Sequence, residues 1–252
     1  MHAPAPIRLA DIARADPAFF VRQMRELYAA GFFPMADPHT DEINFYAADP
    51  GGFLPLTPAD GFRIPATIQR DIRSGRFIIT ADTAFESVMR HCAGPRRESP
   101  SNQSDSTWIN EDLIAAYSIL HNHNMAHAIE AWRTDPETNA LVLVGGIYGI
   151  SLNRAFFAES MFHTPQPRLN DGSRHPLDGS GASSVCLVAL IQHLARCGFH
   201  FCDTQVITPH VARFGAQSAP RDEFDSMLAR AVRRDTPDLF NRVPFAPPTE
   251  SA

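Results

Sequence analysis

The sequence of 252 residues contains no lysine, so all 22 of its basic side chains are arginines. Arginine binds phosphates bidentately, but a composition without lysine is also typical of a GC-rich genome, and we favour that cause. The formal net charge is −6, which argues against a protein that coats nucleic acid. The net charge does not exclude a protein that binds only the end of a nucleic acid through a local basic patch.

Long apolar runs and cysteine motifs are also missing. No run approaches the roughly 18 apolar residues that a membrane helix needs, and the first residues carry charges where a signal peptide is apolar. We therefore expect a cytosolic protein without an export signal. No C-x-x-C spacing occurs, which predicts reduced thiols in or near the core for the four cysteines, Cys92, Cys186, Cys197 and Cys202.

The order of helix and strand patterns predicts an α+β fold. We expect a small N-terminal domain over residues 1–61, a larger domain over 62–234 and a Pro-rich, mobile tail over 235–252. Helices are predicted at 16–30, 64–76, 83–92, 111–122, 184–197 and 221–233, with Asp16, Asp82 and Asn110 as N-caps of the first, third and fourth. Strands are predicted at 77–81, 126–133, 140–146 and 199–202, residues 156–161 are a further apolar stretch, and residues 163–181 form a long polar loop.

The string FHFCDTQ is the most informative one for chemistry. Asp203 and Gln205 follow an apolar strand two residues apart, so alternation places both side chains on one face. A carboxylate there can take or orient a proton, and an amide can polarise a carbonyl or orient an amine. The alternative is a strand end with an Asx turn into the next loop.

A second string, AFFAESMF, places Glu159 among aromatic and apolar residues. Such a carboxylate must be paired, hydrogen-bonded or neutral, so it either binds a cationic group or amine, or forms an internal Arg–Glu pair. Apolar neighbours either line a pocket for an aliphatic or aromatic side chain or belong to the core. These neighbours are Met161, Leu187, Leu190 and Leu194.

Two further residues have open interpretations. His127, in the strand AHAIEAW, is either a proton carrier or a structural histidine. Trp108, in STWI, either stacks on a base or anchors the core. Walker A, G-x-S-x-G and H-E-x-x-H motifs are absent, so none of these strings alone identifies a reaction.

Taken in order, several strings resemble the bacterial leucyl/phenylalanyl-tRNA–protein transferases. They are DTAFESVMRHCA, TWINEDLIAAYSILHNHNMAHAIEAW, LVGGIYGISLNRAFFAESMF, GASSVCLVALIQHLARCGFHFCDTQ and TPHVARFGAQSAPRDEF. The resemblance implies a small α/β N-terminal domain and a catalytic domain similar to acetyltransferase (GNAT) folds with a mixed central sheet. It also implies transfer of Leu or Phe from charged tRNA to a protein with N-terminal Arg or Lys, which marks that protein for N-degron proteolysis. The enzyme would be a monomer and would need no metal or cofactor, because the tRNA ester is already activated.

The resemblance carries residue roles with it. Asp203 and Gln205 match the family's catalytic D-x-Q, and Glu159 matches the Glu of its G-E-S-M-F motif. We expect Gln205 to position the incoming amine while Asp203 orients it and helps to remove a proton; alternatively, the tRNA ribose hydroxyl moves the proton. The expected substrate-binding residues are Glu159, Phe156, Trp108, Met161, Leu187, Leu190 and Leu194.

The sequence departs from the family in the Arg-rich tract, which reads RIPATIQR. Of the family's arginines here, Arg70 is kept, while Ala66 and Gln69 replace two others. Each lost phosphate contact weakens tRNA affinity. The expected tRNA contacts are Arg63, Arg70, Arg73 and Arg76, with Arg96 and Arg97 as further compensation.

Two other functions remain open from the sequence. A divergent aminoacyl-tRNA-dependent transferase could use another amino acid or acceptor, since the loop 163–181 is longer than in the family. A non-catalytic protein could instead bind tRNA ends or protein N-termini, although Asp203, Gln205 and Glu159 are all retained.

Overall fold

The computed structural model describes residues 8–94, 107–233 and 239–251. The helices are α1 (Leu9–Ala15), α2 (Pro17–Ala29), α3 (Ala66–Arg73), α4 (Phe85–Cys92), α5 (Glu111–Asn122), α6 (Ala182–Cys197), α7 (Pro209–Ala212) and α8 (Arg221–Val232). The strands are β1 (Phe33–Ala36), β2 (Ile43–Tyr46), β3 (Gly51–Leu54), β4 (Ile78–Ala81), β5 (Ala126–Thr134), β6 (Leu141–Leu152), β7 (Ala155–His163), β8 (Phe201–Gln205) and β9 (Gln217–Ala219). None of the helices in these ranges is long and apolar enough to cross a membrane.

Local capping chemistry explains where several helices begin and end. The Asp16 carboxylate accepts the Phe19 N–H ahead of α2, and the Asn110 side chain accepts the Leu113 N–H ahead of α5. Gly198 ends α6 in the left-handed region, at φ 88°. The predicted caps at Asp16 and Asn110 are confirmed.

The predicted cap at Asp82 is wrong. Asp82 has a φ of 57°, and its carboxylate accepts the Ala128 N–H at 2.8 Å and contacts His127 Nδ1 at 2.7 Å. The N–H groups that precede α4, those of Thr83 and Ala84, instead donate to the Glu130 carboxylate. His127 therefore has a structural partner in Asp82, and α4 is capped by a side chain from β5.

The expected mixed α/β architecture is confirmed by a seven-stranded sheet in the order β4-β5-β6-β7-β8-β3-β9. Neighbouring strands are antiparallel except β7 and β8, which are parallel. β1 and β2 form a separate two-stranded sheet. Because β3 lies within the large sheet, residues before position 62 complete it, and the proposed domain boundary at 61/62 stays a prediction.

The sheet has one hydrophobic core on each face. The first core packs α2, α4, α5 and α8 against the sheet, and Ala128 and Phe157 belong to it. The second core packs α3 and α6 against the opposite face, and Ile129 and Phe156 belong to it. Adjacent residues of one strand thus enter different cores, as strand alternation requires. All four cysteines are buried and none is in a disulfide.

The C-terminal residues that composition predicts to be mobile make specific contacts in their described part, 239–251. Leu239 and Phe240 are buried in the second core. His193 Nε2 donates to the Phe240 carbonyl at 2.7 Å, and the Thr249 N–H donates to Gln192 Oε1 at 2.9 Å. The tail therefore packs along α6.

Candidate active site

The parallel strands β7 and β8 separate in the middle of the sheet. They pair over only three positions, and the last pair joins Phe157 to Asp203. β7 nevertheless continues to His163. A gap between two neighbouring parallel strands, at their carboxyl ends, gives a ligand access to both backbones and to the side chains that border the gap.

Each of the two strands carries a β-bulge at this gap. Gly149 of β6 opposes Ala158 while Tyr148 opposes Ser160, so Glu159 is the extra residue of β7. In β8, the register with β3 passes from Asp203 to Gln205 and leaves Thr204 as the extra residue. Bulges redirect side chains and commonly border active sites.

Two glycines allow this irregular backbone. A Cβ at Gly149 would lie 2.1 Å from the Phe157 carbonyl oxygen, next to the β7 bulge. A Cβ at Gly52 would lie 3.1 Å from the Gln205 carbonyl oxygen and 3.0 Å from Ile207. At Gly149 the backbone approach excludes any side chain.

The bulge directs Glu159 toward two tyrosines of the first core. The Tyr28 hydroxyl donates to Glu159 Oε1 at 2.6 Å, and the Tyr117 hydroxyl lies 2.5 Å from that of Tyr28. The single hydroxyl hydrogen of Tyr28 is used in the hydrogen bond to Glu159. In the Tyr28–Tyr117 hydrogen bond the donor is therefore the Tyr117 hydroxyl. No arginine of the described residues pairs with Glu159, so the internal Arg–Glu pair is not formed.

Burial raises the pKa of Glu159 to about 8. The Tyr28 hydrogen bond opposes this rise, and the negative charge of Asp203 adds to it. Burial likewise raises the pKa of both tyrosines well above 10, so both hydroxyls keep their protons at neutral pH. Glu159 thus holds a proton near neutral pH unless a cationic partner arrives.

Asp203 lies almost fully buried on the other side of the gap, with 4% of its surface exposed. Its Oδ1 accepts the Gln205 N–H at 2.7 Å, which is the Asx turn named as the alternative for this string. Burial raises its pKa to about 7, against the Gln205 N–H and the positive charge of Arg221, which lower it. No other hydrogen bond to its carboxylate occurs among the described residues apart from this turn, so the second oxygen is left for a ligand.

Gln205 ends β8 with a left-handed φ of 54°. The bulge at Thr204 interrupts the alternation that predicted one shared face, and Asp203 meets Gln205 through the backbone N–H instead. In the orientation that satisfies its neighbours, the Gln205 side-chain NH₂ donates to the Ala158 and Thr204 carbonyls, both at 3.1 Å. Its amide oxygen is then directed away from these two acceptors, and the side chain bridges β7 and β8 across the gap.

The predicted apolar pocket residues divide between the core and its margin. The leucines of α6 are buried in the second core, with at most 1% of each exposed: Leu187, Leu190 and Leu194. Phe156 is also buried there and stacks on Phe240 at 5.9 Å, on the face opposite Glu159. Met161 lies half-buried against the same core. The structure therefore brings Glu159, Asp203 and Gln205 together, while a substrate-binding role of these apolar residues stays a prediction.

Trp108 is half-buried at the margin of the first core. Its carbonyl accepts the Ala36 N–H at 2.9 Å, which ties it to β1. This is the contact of a core anchor, and base stacking by Trp108 stays a prediction.

The arginines expected to bind tRNA have different surroundings. Arg63 and Arg70 are exposed, and the exposed Arg73 forms an ion pair with Glu250 at 2.5 Å. Arg76 is only 8% exposed, because it pairs with Asp71 and Asp178 and anchors the loop 163–181. The Arg76 guanidinium is thus not presented to a phosphate. Arg96 and Arg97 lie outside the described residues.

Sequence reasoning missed three residues of the site: Tyr28, Tyr117 and Arg221. Tyr28 and Tyr117 lie on the apolar faces of α2 and α5, where a buried hydroxyl needs a partner. The chain has only four tyrosines, so two of them at core positions of helices were a usable signal. Arg221 carries no sequence signal, since its influence on Asp203 depends on how α8 packs.

Comparisons with known proteins identify the family to which the sequence is similar. The family model described as "Leucyl/phenylalanyl-tRNA protein transferase" matches residues 56–229. A protein of Akkermansia muciniphila named leucyl/phenylalanyl-tRNA–protein transferase is 41% identical over 205 residues, which are 81% of this chain and 92% of that protein. A protein of Salinibacter ruber with the same name is 38% identical over 205 residues, 81% of this chain and 76% of that protein.

Proposed function

The chain belongs to the leucyl/phenylalanyl-tRNA protein transferase family, and we propose that it transfers Leu or Phe from charged tRNA to proteins with N-terminal Arg or Lys. The carboxyls of Glu159 and Asp203, held at two bulges where β7 and β8 separate, carry this proposal. The product is marked for N-degron proteolysis. The enzyme acts as a cytoplasmic monomer. It uses no metal or cofactor, because the ester that it receives is already activated.

We further propose that residues 62–234 form a GNAT-like catalytic domain. Two observations support this: neighbouring parallel strands that diverge within a mixed sheet, and α6, which leads into β8 and packs against the sheet. In this arrangement the gap between β7 and β8 receives the aminoacyl ester from one side and the acceptor amine from the other.

The proposed reaction is attack of the acceptor's neutral α-amine on the ester carbonyl. The new C–N bond forms, the ester C–O bond breaks, and a proton passes from the amine to the departing ribose oxygen. The amide oxygen of Gln205 accepts an N–H of the amine and orients it. Asp203, whose pKa is raised to about 7, takes the amine proton near neutral pH and returns it to the leaving oxygen.

Glu159 has a different part in this proposal. Its carboxyl has one donor, Tyr28, and its pKa is raised to about 8 mainly by burial. An ammonium or amine placed beside it would supply the missing partner and favour the ionised form. Glu159 therefore binds the amino group of the aminoacyl residue and fixes its carbonyl for attack.

A transfer assay tests the proposal. Purified protein is mixed with tRNA carrying labelled Leu or Phe and with a protein beginning with Arg, Lys or Ala. We expect label only on the Arg and Lys proteins, and none with the Asp203→Ala, Gln205→Ala variant. The matched control is Asp11→Ala, Gln23→Ala, which changes the same residue types at exposed positions of α1 and α2. Full transfer by the first variant would refute the roles of Asp203 and Gln205, and no transfer by the folded wild type would refute the function.

A further inference from the structure

A basic pocket lies at the end of the sheet opposite the site. It has a volume of about 410 Å³ and is lined by Arg154, His200, Arg230, Ala231 and Arg233. No acidic residue is among the described residues that line it. Within the described ranges, none of the three arginines forms an ion pair with a carboxylate. The protein as a whole has a net charge of −6. The pocket therefore differs in sign from the net charge of the protein.

Backbone contacts hold these charges together. The Arg154 N–H donates to the Ala231 carbonyl at 3.2 Å, and the Asn153 side chain donates to the Val232 carbonyl at 2.6 Å. These bonds attach the β6–β7 turn to the end of α8. The His200 N–H donates to the Arg154 carbonyl at 2.7 Å, which brings the start of β8 to the same place.

The arginine side chains are arranged for an external anion. Arg154 Nη1 is fixed by the Gly198 carbonyl at 3.2 Å and lies 3.4 Å from His200 Nε2. Partial burial lowers the pKa of His200, and the positive charge of Arg154 adds to this decrease. The dipole of α8 favours basic residues in its last turn, which accounts for Arg230 and Arg233 but not for the convergence of Arg154 and His200.

The position of the pocket relative to Asp203 limits what the anion can be. His200 precedes Asp203 by three residues, or about 10 Å of extended chain. Arg221, which acts on Asp203, precedes Arg230 by nine residues of α8, or about 14 Å. A nucleic acid carries one phosphate per nucleotide on each strand, so an anion at these distances from the gap fits a phosphate a few nucleotides from the group that is bound there.

We propose that the pocket formed by Arg154, His200, Arg230 and Arg233 binds a backbone phosphate of the tRNA, a few nucleotides from the aminoacylated end. This inference rests on the proposed transfer from charged tRNA. It also accounts for a chain in which two of the four arginines expected to contact tRNA are engaged by carboxylates, since Arg76 is buried against Asp71 and Asp178 and Arg73 is paired with Glu250. The pocket is open, since Arg230 and Arg233 are exposed, and a phosphate within a polymer can enter it.

The test compares two variants that lose the same charge. In the pocket variant, Arg154→Gln and Arg230→Gln remove two lining charges. In the control, Arg14→Gln and Arg90→Gln remove two arginines that are already paired with carboxylates. Affinity for charged tRNA is measured over a series of salt concentrations, and transfer is measured both from the tRNA and from an aminoacylated adenosine that has no backbone phosphate.

We expect the pocket variant to bind tRNA about tenfold more weakly at low salt. The slope of log K against the logarithm of the salt concentration should be smaller in magnitude by about 1. Its KM for charged tRNA rises while kcat holds, and transfer from aminoacyl-adenosine is unchanged. The control keeps the wild-type values. An unchanged tRNA affinity and salt slope overturns the proposal, as does an equal loss with aminoacyl-adenosine, which would mean that the reaction centre itself is disturbed.

A separate arm tests inorganic phosphate. If phosphate binds the wild type but not the pocket variant, while both bind tRNA equally, the pocket takes a free anion and the tRNA contact is refuted. Failure of the proposed function is distinguishable from either result: the wild type then transfers nothing from any substrate, whereas the tRNA affinities of the two variants still decide the role of the pocket.

Discussion

Two glutamates of the central sheet, the buried Glu130 and the half-buried Glu159, have different surroundings. Glu130, in β5, is fully buried and accepts hydrogen bonds from the Thr80 hydroxyl, from the N–H and hydroxyl of Thr83, and from the Ala84 N–H. Glu159, at the gap between β7 and β8, accepts from the Tyr28 hydroxyl and from no other donor in the described part of the chain. Burial raises the pKa of both, but the bonds to Glu130 oppose the rise, and that of Glu159 reaches about 8.

This difference shows that burial alone does not mark a carboxylate as functional. Glu130 replaces a helix cap: its oxygens satisfy the N–H groups ahead of α4 and leave no capacity for a ligand. Glu159 has one donor among the described residues, the Tyr28 hydroxyl, and sits on a bulge beside an opening, so its unmet hydrogen-bonding capacity is available to a substrate. The number of donors per buried oxygen separates the structural group from the candidate functional one.

Removal of the structural carboxylate is expected to have the largest effect. In Glu130→Ala the Thr83 and Ala84 N–H groups lose their acceptor, at about 1–3 kcal/mol for each orphaned group. We therefore expect a loss of about 3 kcal/mol or more in the free energy of unfolding, or roughly 6–12 °C in Tm. Thermal denaturation followed by circular dichroism measures this loss.

The control for that change is Glu86→Ala, which removes an exposed glutamate of α4 that pairs with Arg90. A surface pair of this kind contributes roughly 0–1 kcal/mol, so its Tm stays close to that of the wild type. Transfer activity per folded molecule is unchanged in both variants. A stable Glu130→Ala protein that had lost activity would reverse the assignment of the two glutamates.

At the gap, the expected effect is on transfer rather than stability. Glu159→Gln keeps the size of the side chain but removes its charge, so the amine loses a charge-assisted hydrogen bond of about 1.5–3 kcal/mol. We expect kcat/KM for transfer to fall about 10- to 100-fold, with a Tm equal to or above that of the wild type because folding no longer requires a carboxyl to take up a proton. Steady-state kinetics with charged tRNA and thermal denaturation test both statements, and a large drop in Tm would contradict them.

The same two regions differ in how much the sequence predicts. Regular segments follow local rules: Asn110 caps α5 as its chemistry requires, and the residues of β5 alternate between the two cores. Asp82 failed as a predicted cap because a more distant carboxylate, Glu130, takes the N–H groups ahead of α4. No local pattern contains that contact.

The candidate site is less predictable for a similar reason. The motifs single out Glu159, Asp203 and Gln205, but the bulges at Glu159 and Thr204 depend on the register with β6 and β3. A bulge shifts every later side chain to the other face, so strict alternation misplaces residues beyond it. The Tyr117–Tyr28–Glu159 chain joins two helices to the sheet, and such packing has no signature in a single sequence.

The pH dependence of stability provides a sharper comparison of the gap with the rest of the protein. Between the ordinary Glu pKa of 4.5 and the raised value of about 8, folded Glu159 holds a proton that the unfolded chain has released. Folding therefore takes up a proton, and the free energy of unfolding falls as pH rises through this window. The pKa of Asp203 is also raised, from 3.8 to about 7, so Asp203 likewise makes the free energy of unfolding fall as pH rises between these values.

We accordingly expect the wild-type Tm to decrease from about pH 5 to about pH 8, since each pKa unit is worth about 1.4 kcal/mol. The Glu159→Gln variant lacks this carboxyl, so its Tm decreases less over the same pH range. Thermal melts in buffers of matched ionic strength supply the curves. Parallel curves for the two proteins would show that Glu159 titrates in the folded state as it does in the unfolded chain.

The smallest expected effect comes from the Tyr28 hydroxyl. Tyr28→Phe removes the only donor to Glu159 among the described residues, and since that bond lowers the pKa of Glu159, the pKa rises further in the variant. The acid limb of the kcat/KM profile then moves to higher pH, with a cost of about 1 kcal/mol in stability. Tyr117→Phe is the matched control, because it removes an equivalent buried hydroxyl while Tyr28 still donates to Glu159. A profile that moves equally in both variants would assign the effect to core packing, whereas a shift confined to Tyr28→Phe assigns it to the hydrogen bond that sets the protonation of Glu159.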